Sequence, residues 1–156
     1  MKGDAKVIEL LNEVLTGELT SINQYFLHAR MFSNWGYHRL GELERKESID
    51  EMKHADALIE RVLFLEGLPN VQRLGKINIG QTVQDALKSD LGLEMTAVPL
   101  LNKGIQLCRD VGDNGSEDLL MKILESEEEH VDWIEAQLEL IKQVGEQNYL
   151  AQQIRG

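Results

Sequence analysis

Apolar side chains recur at spacings of three and four residues through four long stretches of the chain, which is the period of helices with one buried face. Pro99 lies inside the third stretch, but the apolar spacing continues past it, so we expect a kink rather than an end. For the fourth helix we predict Asn114 or Ser116 as the N-cap. The helices are predicted over about residues 5–34, 38–65, 83–111 and from the turn at 112–115 to about 144.

Two segments fall outside this pattern. Residues 67–82 are rich in Gly and Asn and are long for a helix connection, which indicates a crossover along the bundle. Residues 146–156 can form one short helix, whose Leu150 and Ile154 need a packing partner outside the bundle and so predict oligomerisation. The fold class is therefore all-α: a four-helix bundle with a long crossover between the second and third helices and a short C-terminal fifth helix.

Composition narrows the class further. A chain of 156 residues suits one domain, 1–156, and 5% aromatic residues with two prolines favour helix over sheet. We find no apolar run long enough for a membrane span and no signal peptide at the start, so we expect a soluble, cytoplasmic protein without a membrane partner. The lone Cys108 excludes an internal disulfide and is expected to be a small core or interface residue.

The net charge of −11 argues against nucleic acid as a partner and favours cations, although an acidic surface kept for solubility explains it equally well.

Two Glu-x-x-His pairs in the sequence suggest a metal site. Residues three apart share a helix face, so each pair offers a carboxylate and an imidazole to one point. A further glutamate precedes each pair at the same distance of 33 residues, which completes a set of six: Glu18, Glu51, His54, Glu94, Glu127 and His130.

Glutamate is abundant here, so the pairs alone are a weak signal, but the matched offset makes chance a poor explanation. A glutamate from each of two helices and Glu-x-x-His from each of the other two is the ligand set of four-helix di-iron and di-manganese proteins. The repeated offset predicts a pseudo-two-fold axis, with one terminal Glu and one His for each metal and with Glu51 and Glu127 as bridges. Iron, manganese and zinc all suit these ligands.

The chain resembles the bacterioferritin family in four blocks: 22–30 (INQYFLHAR), 47–54 (ESIDEMKH), 62–69 (VLFLEGLP) and 123–130 (ILESEEEH). The resemblance covers essentially the whole chain. It implies a ferritin-like cage of twenty-four subunits that stores and detoxifies iron. As a ferroxidase, each subunit would use four Fe(II), four protons and one O2 to give four Fe(III) and two waters. All six residues match the family's ferroxidase ligands, with two iron ions per subunit.

The resemblance also implies a haem b shared by each subunit pair, with Met52 of each subunit as the axial ligand of its iron. From periodicity alone Met52 would be a packing residue. Glu47 and Asp50 resemble the family's cavity-facing acids, which help iron to enter or leave the site, or they form a solvated acidic face. Lys46 stands where some members have a histidine, so an inner-surface iron site is doubtful.

Three other polar residues carry weaker signals. Tyr25 lies seven residues after Glu18 and either hydrogen-bonds a ligand, donates an electron or is a satisfied core tyrosine. We interpret His28 and His38 as structural or surface residues, since neither has a matching glutamate.

Other classes use parts of this pattern. A di-iron oxygenase or di-manganese catalase shares the ligands but is normally larger, a haem-only electron carrier needs no such ligands, and a metal-free shell gains nothing from them. The sequence leaves open the oxidant, whether iron passes through the site or stays in it, a second subunit type in the cage, and the identity of a ferredoxin-type reductant.

Overall fold

The computed structural model describes residues 1–155, which form five α-helices. The four long helices start and end within about two residues of the predicted bounds, and α3 continues through Pro99. The fifth is shorter than predicted, and Gly156, at the end of the predicted segment, lies outside the described residues. The helices are α1 (Ala5–Asn34), α2 (His38–Phe64), α3 (Val83–Val111), α4 (Asn114–Val144) and α5 (Glu146–Ala151).

Side-chain caps begin three of these helices. Asp4 accepts from two backbone amides of α1, and Thr82 accepts from the amide of Asp85 in α3. The predicted N-cap of α4 was wrong. Asp113 takes that role, because its carboxylate accepts from both the amide and the hydroxyl of Ser116 and also pairs with Arg61 of α2 at 2.8 Å.

The interior of the bundle is divided into two apolar clusters. The first joins the N-terminal halves of α1 and α4 to the C-terminal halves of α2 and α3, and includes Val7, Leu11, Leu15, Leu58, Val62, Leu101 and Leu120. The second joins the opposite halves, and includes Phe32, Leu40, Leu87, Ile134 and Ile141. Each fully buried leucine contributes roughly 1.5–3 kcal/mol. Helices α1 and α4 therefore run in one direction and α2 and α3 in the other, with buried polar residues between the clusters.

This arrangement requires the predicted crossover, because α2 ends at one end of the bundle and α3 begins at the other. The crossover is bound along the length of α1. Four backbone amides of the crossover donate hydrogen bonds to side chains of α1: Asn70 to Asn12 (2.8 Å), Gly75 to Thr20 (2.8 Å), Asn78 to Gln24 (3.0 Å) and Gly80 to His28 (3.0 Å). The segment has no regular structure but a fixed course.

Helix α5 folds back on the bundle. Tyr149 is buried, donates its hydroxyl to Gln137 of α4 at 2.7 Å, and packs in the second apolar cluster. Leu150 packs on the same cluster, so the prediction that it needs a partner outside the bundle was wrong. Ile154 is exposed, as that prediction requires. Cys108 is buried and free, in agreement with the first of its two predicted places, the core.

None of the helices in residues 1–155 has a stretch both long and apolar enough to cross a membrane.

Close packing between α1, α3 and α4 gives a stability prediction at Gly104. A Cβ there would lie 2.4 Å from Leu10 Cδ1 and 2.9 Å from Leu120 Cδ1. We expect Gly104→Ala to destabilise the protein by about 1–3 kcal/mol through overpacking. Gly92→Ala, on the same helix with open space around it, should instead be neutral or stabilise by up to about 1 kcal/mol. Thermal unfolding of both variants tests this, and equal effects would contradict it.

Candidate metal centre

The six residues predicted as metal ligands lie together between the two apolar clusters. Each of the four long helices contributes at least one of them at mid-length. Five have no more than 3% of their surface exposed: Glu18, Glu51, Glu94, Glu127 and His130. His54 is the sixth and is partly exposed, with 16% of its side chain accessible. An apolar-patterned bundle thus buries four carboxylates at one level.

One half of the centre surrounds His54. Its Nδ1 lies 3.3 Å from Glu127 Oε1, 3.6 Å from Glu18 Oε2 and 3.6 Å from Glu51 Oε2. One ligand atom from each of these four residues lies within 4.8 Å of every other, a spacing that one metal ion can span. The set of three carboxylates and one imidazole suits iron, manganese or zinc.

The other half is built on Glu94 and His130, which are 3.2 Å apart from Oε1 to Nδ1. Tyr25 donates a hydrogen bond from its hydroxyl to the same Oε1, which agrees with two of its three predicted roles, a partner of Glu94 and a satisfied core tyrosine. The Tyr25 ring also packs edge-on against His130, with 5.2 Å between the ring centroids. Glu47 Oε2 also lies 3.8 Å from His130 Nδ1. Two neighbouring groups therefore orient the ligands of this half.

Each of the six residues has one buried polar atom without a hydrogen-bond partner. An unpartnered buried polar group costs about 1–3 kcal/mol, and charged groups cost more. Six such groups converging at one level are expected if metal ions complete their bonding. The atoms are Glu18 Oε2, Glu51 Oε2, His54 Nδ1, Glu94 Oε2, Glu127 Oε1 and His130 Nε2.

Without metal, protons occupy this centre. Burial, together with Glu127, raises the pKa of Glu94 to about 8, and burial raises the pKa of Glu127 to about 7. Burial lowers the pKa of the histidines, but their carboxylate neighbours outweigh it. Glu127 and Glu51 raise the pKa of His54 to about 10, and Glu94 and Glu47 raise the pKa of His130 to about 9. A metal ion has to displace protons from these groups in order to bind.

This displacement predicts that stabilisation by metal grows with pH. Because these pKa values are raised above their unfolded values, the groups stabilise the metal-free protein most at low pH and less as the pH rises through their folded values. Metal affinity rises over the same range because deprotonated ligands become available. We expect the Tm increase on adding Zn(II) to be larger at pH about 8 than at pH about 6. An increase independent of pH would contradict protonated ligands, and Glu94→Gln should reduce the pH dependence.

The remaining predicted residues lie around the centre. Met52 points away from it and is 54% exposed on α2, next to the partly exposed Ile49 one turn earlier. Its thioether is therefore accessible from outside the bundle. Asp50 pairs with the exposed Lys46 one turn earlier on the same helix, at 3.4 Å. His38 is exposed, as predicted.

A second buried polar cluster was missed by the sequence reasoning. It consists of His28 from α1, Glu44 from α2 and Asp90 from α3. The signal was present in the sequence, because Asp90 lies four residues before Glu94 and Glu44 lies seven before Glu51, each on the buried face of its helix. His28 is thus a buried member of a polar cluster and not a surface residue.

The bundle, its crossover and the carboxylate and histidine centre define a ferritin-like protein, and the model of the ferritin-like domain matches residues 8–144. The chain is 51% identical to the bacterioferritin of Mycobacterium leprae over 97% of this chain and 96% of that one. It is 50% identical, with the same coverage, to bacterioferritin BfrA of Mycobacterium tuberculosis, and 46% identical to the bacterioferritin of Streptomyces coelicolor over 97% and 90%. The chain belongs to the bacterioferritin family.

Proposed function

We propose that the protein stores and detoxifies iron by oxidising Fe(II) at a di-iron centre within each subunit and keeping the Fe(III) mineral in a hollow oligomeric cage. Membership of the bacterioferritin family supports iron storage. The observation that supports ferroxidase activity is the convergence of six buried ligands, each with an unpartnered polar atom. We expect the cage to contain twenty-four copies, as the family resemblance implies.

The two halves of the centre suggest how the ligands are divided. Glu18 and His54 bind one iron, and Glu94 and His130 bind the other. Glu127 would bridge the two, because it lies 3.3 Å from His54 and its charge also contributes to the raised pKa of Glu94. Glu51 bridges from the opposite hairpin, which follows from the pseudo-two-fold repeat of the two helix pairs.

In this mechanism iron is the substrate. Two Fe(II) ions bind and displace protons from the ligand carboxyls and imidazoles. Each then gives one electron to the oxidant, so that the two electrons and two protons convert O2 to H2O2, or H2O2 to two waters. Two such steps account for four Fe(II) per O2, and neither releases a one-electron oxygen product. Hard carboxylate ligands favour Fe(III) over Fe(II), which helps to drive the oxidation. Tyr25 and Glu47 keep Glu94 and His130 in position while the charge at the centre changes.

Release of Fe(III) from the centre and its later reduction need further groups. Glu47 and Asp50, each partly exposed beside His130 and Lys46, form the path by which iron leaves the centre. Met52 from each of two subunits would hold a haem b, through which electrons from a reductant would reach the stored mineral. A ferredoxin-type reductant is the expected electron donor, and the shell consists of this subunit alone or with a second type.

Addition of Fe(II) to the metal-free protein under air tests the proposal. We expect ferric absorbance to grow quickly and many iron ions to be retained by each assembled subunit. Uptake that stops at about two iron ions per subunit, without mineral growth, would instead indicate a catalytic di-iron enzyme. Light scattering on the same sample measures assembly, and a monomer or dimer would contradict a cage.

A further inference from the structure

The buried cluster formed by His28, Glu44 and Asp90 is not explained by the metal centre. All three side chains are at most 2% exposed, and one ligand-type atom from each lies within 4.8 Å of the other two. Asp90 lies one turn of α3 before Glu94, so the cluster is next to the centre along the bundle. Within residues 1–155, no lysine or arginine forms an ion pair with either carboxyl group.

The hydrogen bonds around His28 fix its protonation. The backbone amide of Gly80 donates to His28 Nε2 at 3.0 Å, so this nitrogen is an acceptor. The hydrogen is therefore on Nδ1, which donates to Asp90 Oδ1 at 2.8 Å. Because both nitrogens are engaged, His28 is neutral and has no lone pair free to ligate a metal ion.

The same oxygen of Asp90 accepts a second bond. Gln24 donates its side-chain Nε2–H to Asp90 Oδ1 at 2.8 Å. The amide orientation is fixed at its other end, where Gln24 Oε1 accepts from the backbone amide of Asn78 at 3.0 Å. Two donors at one oxygen stabilise Asp90 as the ionised member of the cluster.

Glu44 has no donor of this kind. Both of its oxygens and Asp90 Oδ2 are buried without a hydrogen-bond partner. Two adjacent carboxylates in a buried site without a cation cannot both be ionised. A proton on Glu44 removes this conflict, because the carboxylic acid donates to Asp90 Oδ2. Burial first, and then the charge of Asp90, correspondingly raise the pKa of Glu44 well above its usual value.

We propose that Glu44 and Asp90 share one proton while the neighbouring centre is empty of metal and release it when the centre fills, so that the pair is a proton reservoir for the centre. The O–H bond of Glu44 breaks, its carboxylate forms, and the proton passes to solvent without any transfer of electrons. The cause is the positive charge of the incoming metal ions, which favours a second carboxylate nearby. The inference rests on the proposed metal centre.

Titratable groups from every helix face Glu44 and Asp90. Those nearest the metal centre couple the charge of the two carboxyl groups to the centre. Asp90 acts on the pKa of His130 and of Tyr25, so its charge is felt inside the centre. The facing groups are His28 and Tyr25 of α1, Glu47 of α2, Glu94 of α3, His130 of α4 and Tyr149 of α5.

The test compares the wild type with Glu44→Gln, which keeps the shape and one N–H donor but has no dissociable proton. Glu42→Gln, an exposed site on the same helix, is the control. Infrared spectra of the metal-free proteins near neutral pH should show a protonated-carboxyl band, which also contains Glu94 and Glu127. Its intensity should fall by about one carboxyl group in Glu44→Gln and stay unchanged in Glu42→Gln. If Glu44→Gln does not fold, Glu44→Met replaces it, because its length matches and it too carries no proton.

Titration with Zn(II) in weak buffer then measures how many protons are released when metal binds, without any oxidation. We expect two Zn(II) ions per subunit in every variant, and about one proton fewer released by Glu44→Gln than by the wild type. An unchanged infrared band would overturn the shared proton, and equal proton release would overturn the coupling. A third Zn(II) ion that is lost in Glu44→Gln would show a cation site instead. Failure of all variants to bind Zn(II) would overturn the metal centre itself, whereas the infrared result is independent of it.

Discussion

Replacement of Glu18 and Glu94 by alanine is expected to slow Fe(II) oxidation by at least about a hundredfold, since loss of even the partners that orient metal ligands typically costs 10–100-fold. Each change removes the terminal carboxylate from one half of the centre, so neither iron keeps its ligand set. The rate is measured from ferric absorbance after mixing the metal-free protein with Fe(II) under air. Iron retained after gel filtration measures storage on the same sample.

Glu13→Ala on the exposed face of α1 is the matched control and should oxidise Fe(II) at the wild-type rate. The double variant should keep its helical content, because it removes two buried carboxylates that each have an unpartnered oxygen and so relieves part of the desolvation cost. Oxidation at the wild-type rate by a folded double variant would contradict the proposed centre, whatever its iron content.

Met52→Leu is expected to abolish haem binding and to leave Fe(II) oxidation unchanged. Leucine keeps the apolar surface of the exposed position but has no sulfur to ligate a haem iron. The absorbance of haem per subunit measures binding, and the release of Fe(II) from loaded protein by an external reductant measures its role. Release should be slower in the variant, because the path for electrons into the mineral is lost.

Met95→Leu is the matched control, since Met95 is another exposed methionine, at 56%, on a different helix. It should bind haem as the wild type does. Haem retained in Met52→Leu would show that another residue ligates it, and unchanged iron release from haem-free protein would remove haem from the release mechanism.

Much of the fold could be predicted because residues close together in the sequence determine where each long helix begins and ends. The bounds of the four long helices followed from the period of their apolar residues and from the glycines near their ends. The N-cap of α4 was mispredicted because the choice between Asp113, Asn114 and Ser116 depends on Arg61, which is distant in sequence. Leu150 was assigned to an outside contact for the same reason, since its place on the bundle depends on how α5 folds back.

The sequence also predicted that the six candidate ligand residues lie together. Because their spacing is identical in the two helical hairpins, they fall at the same level of the bundle. The sequence left several roles open for Tyr25, because it does not say which group the hydroxyl contacts. In the folded bundle this group is the carboxylate of Glu94. Glu44 and Asp90 were missed because neither belongs to a repeated motif. Their pairing depends on two helices that meet only in the folded bundle, and on the crossover residue Gly80, which sets the protonation of His28.

The attachment of the crossover to α1 makes this segment part of the interior chemistry. Gly80 and Asn78 fix His28 and Gln24, and these two side chains both hold Asp90 one turn from the centre. A length change or a displaced backbone between residues 70 and 80 would therefore alter the ionisation of buried groups without touching a metal ligand. In this bundle the backbone course of the longest irregular segment therefore helps to set the electrostatics of the core.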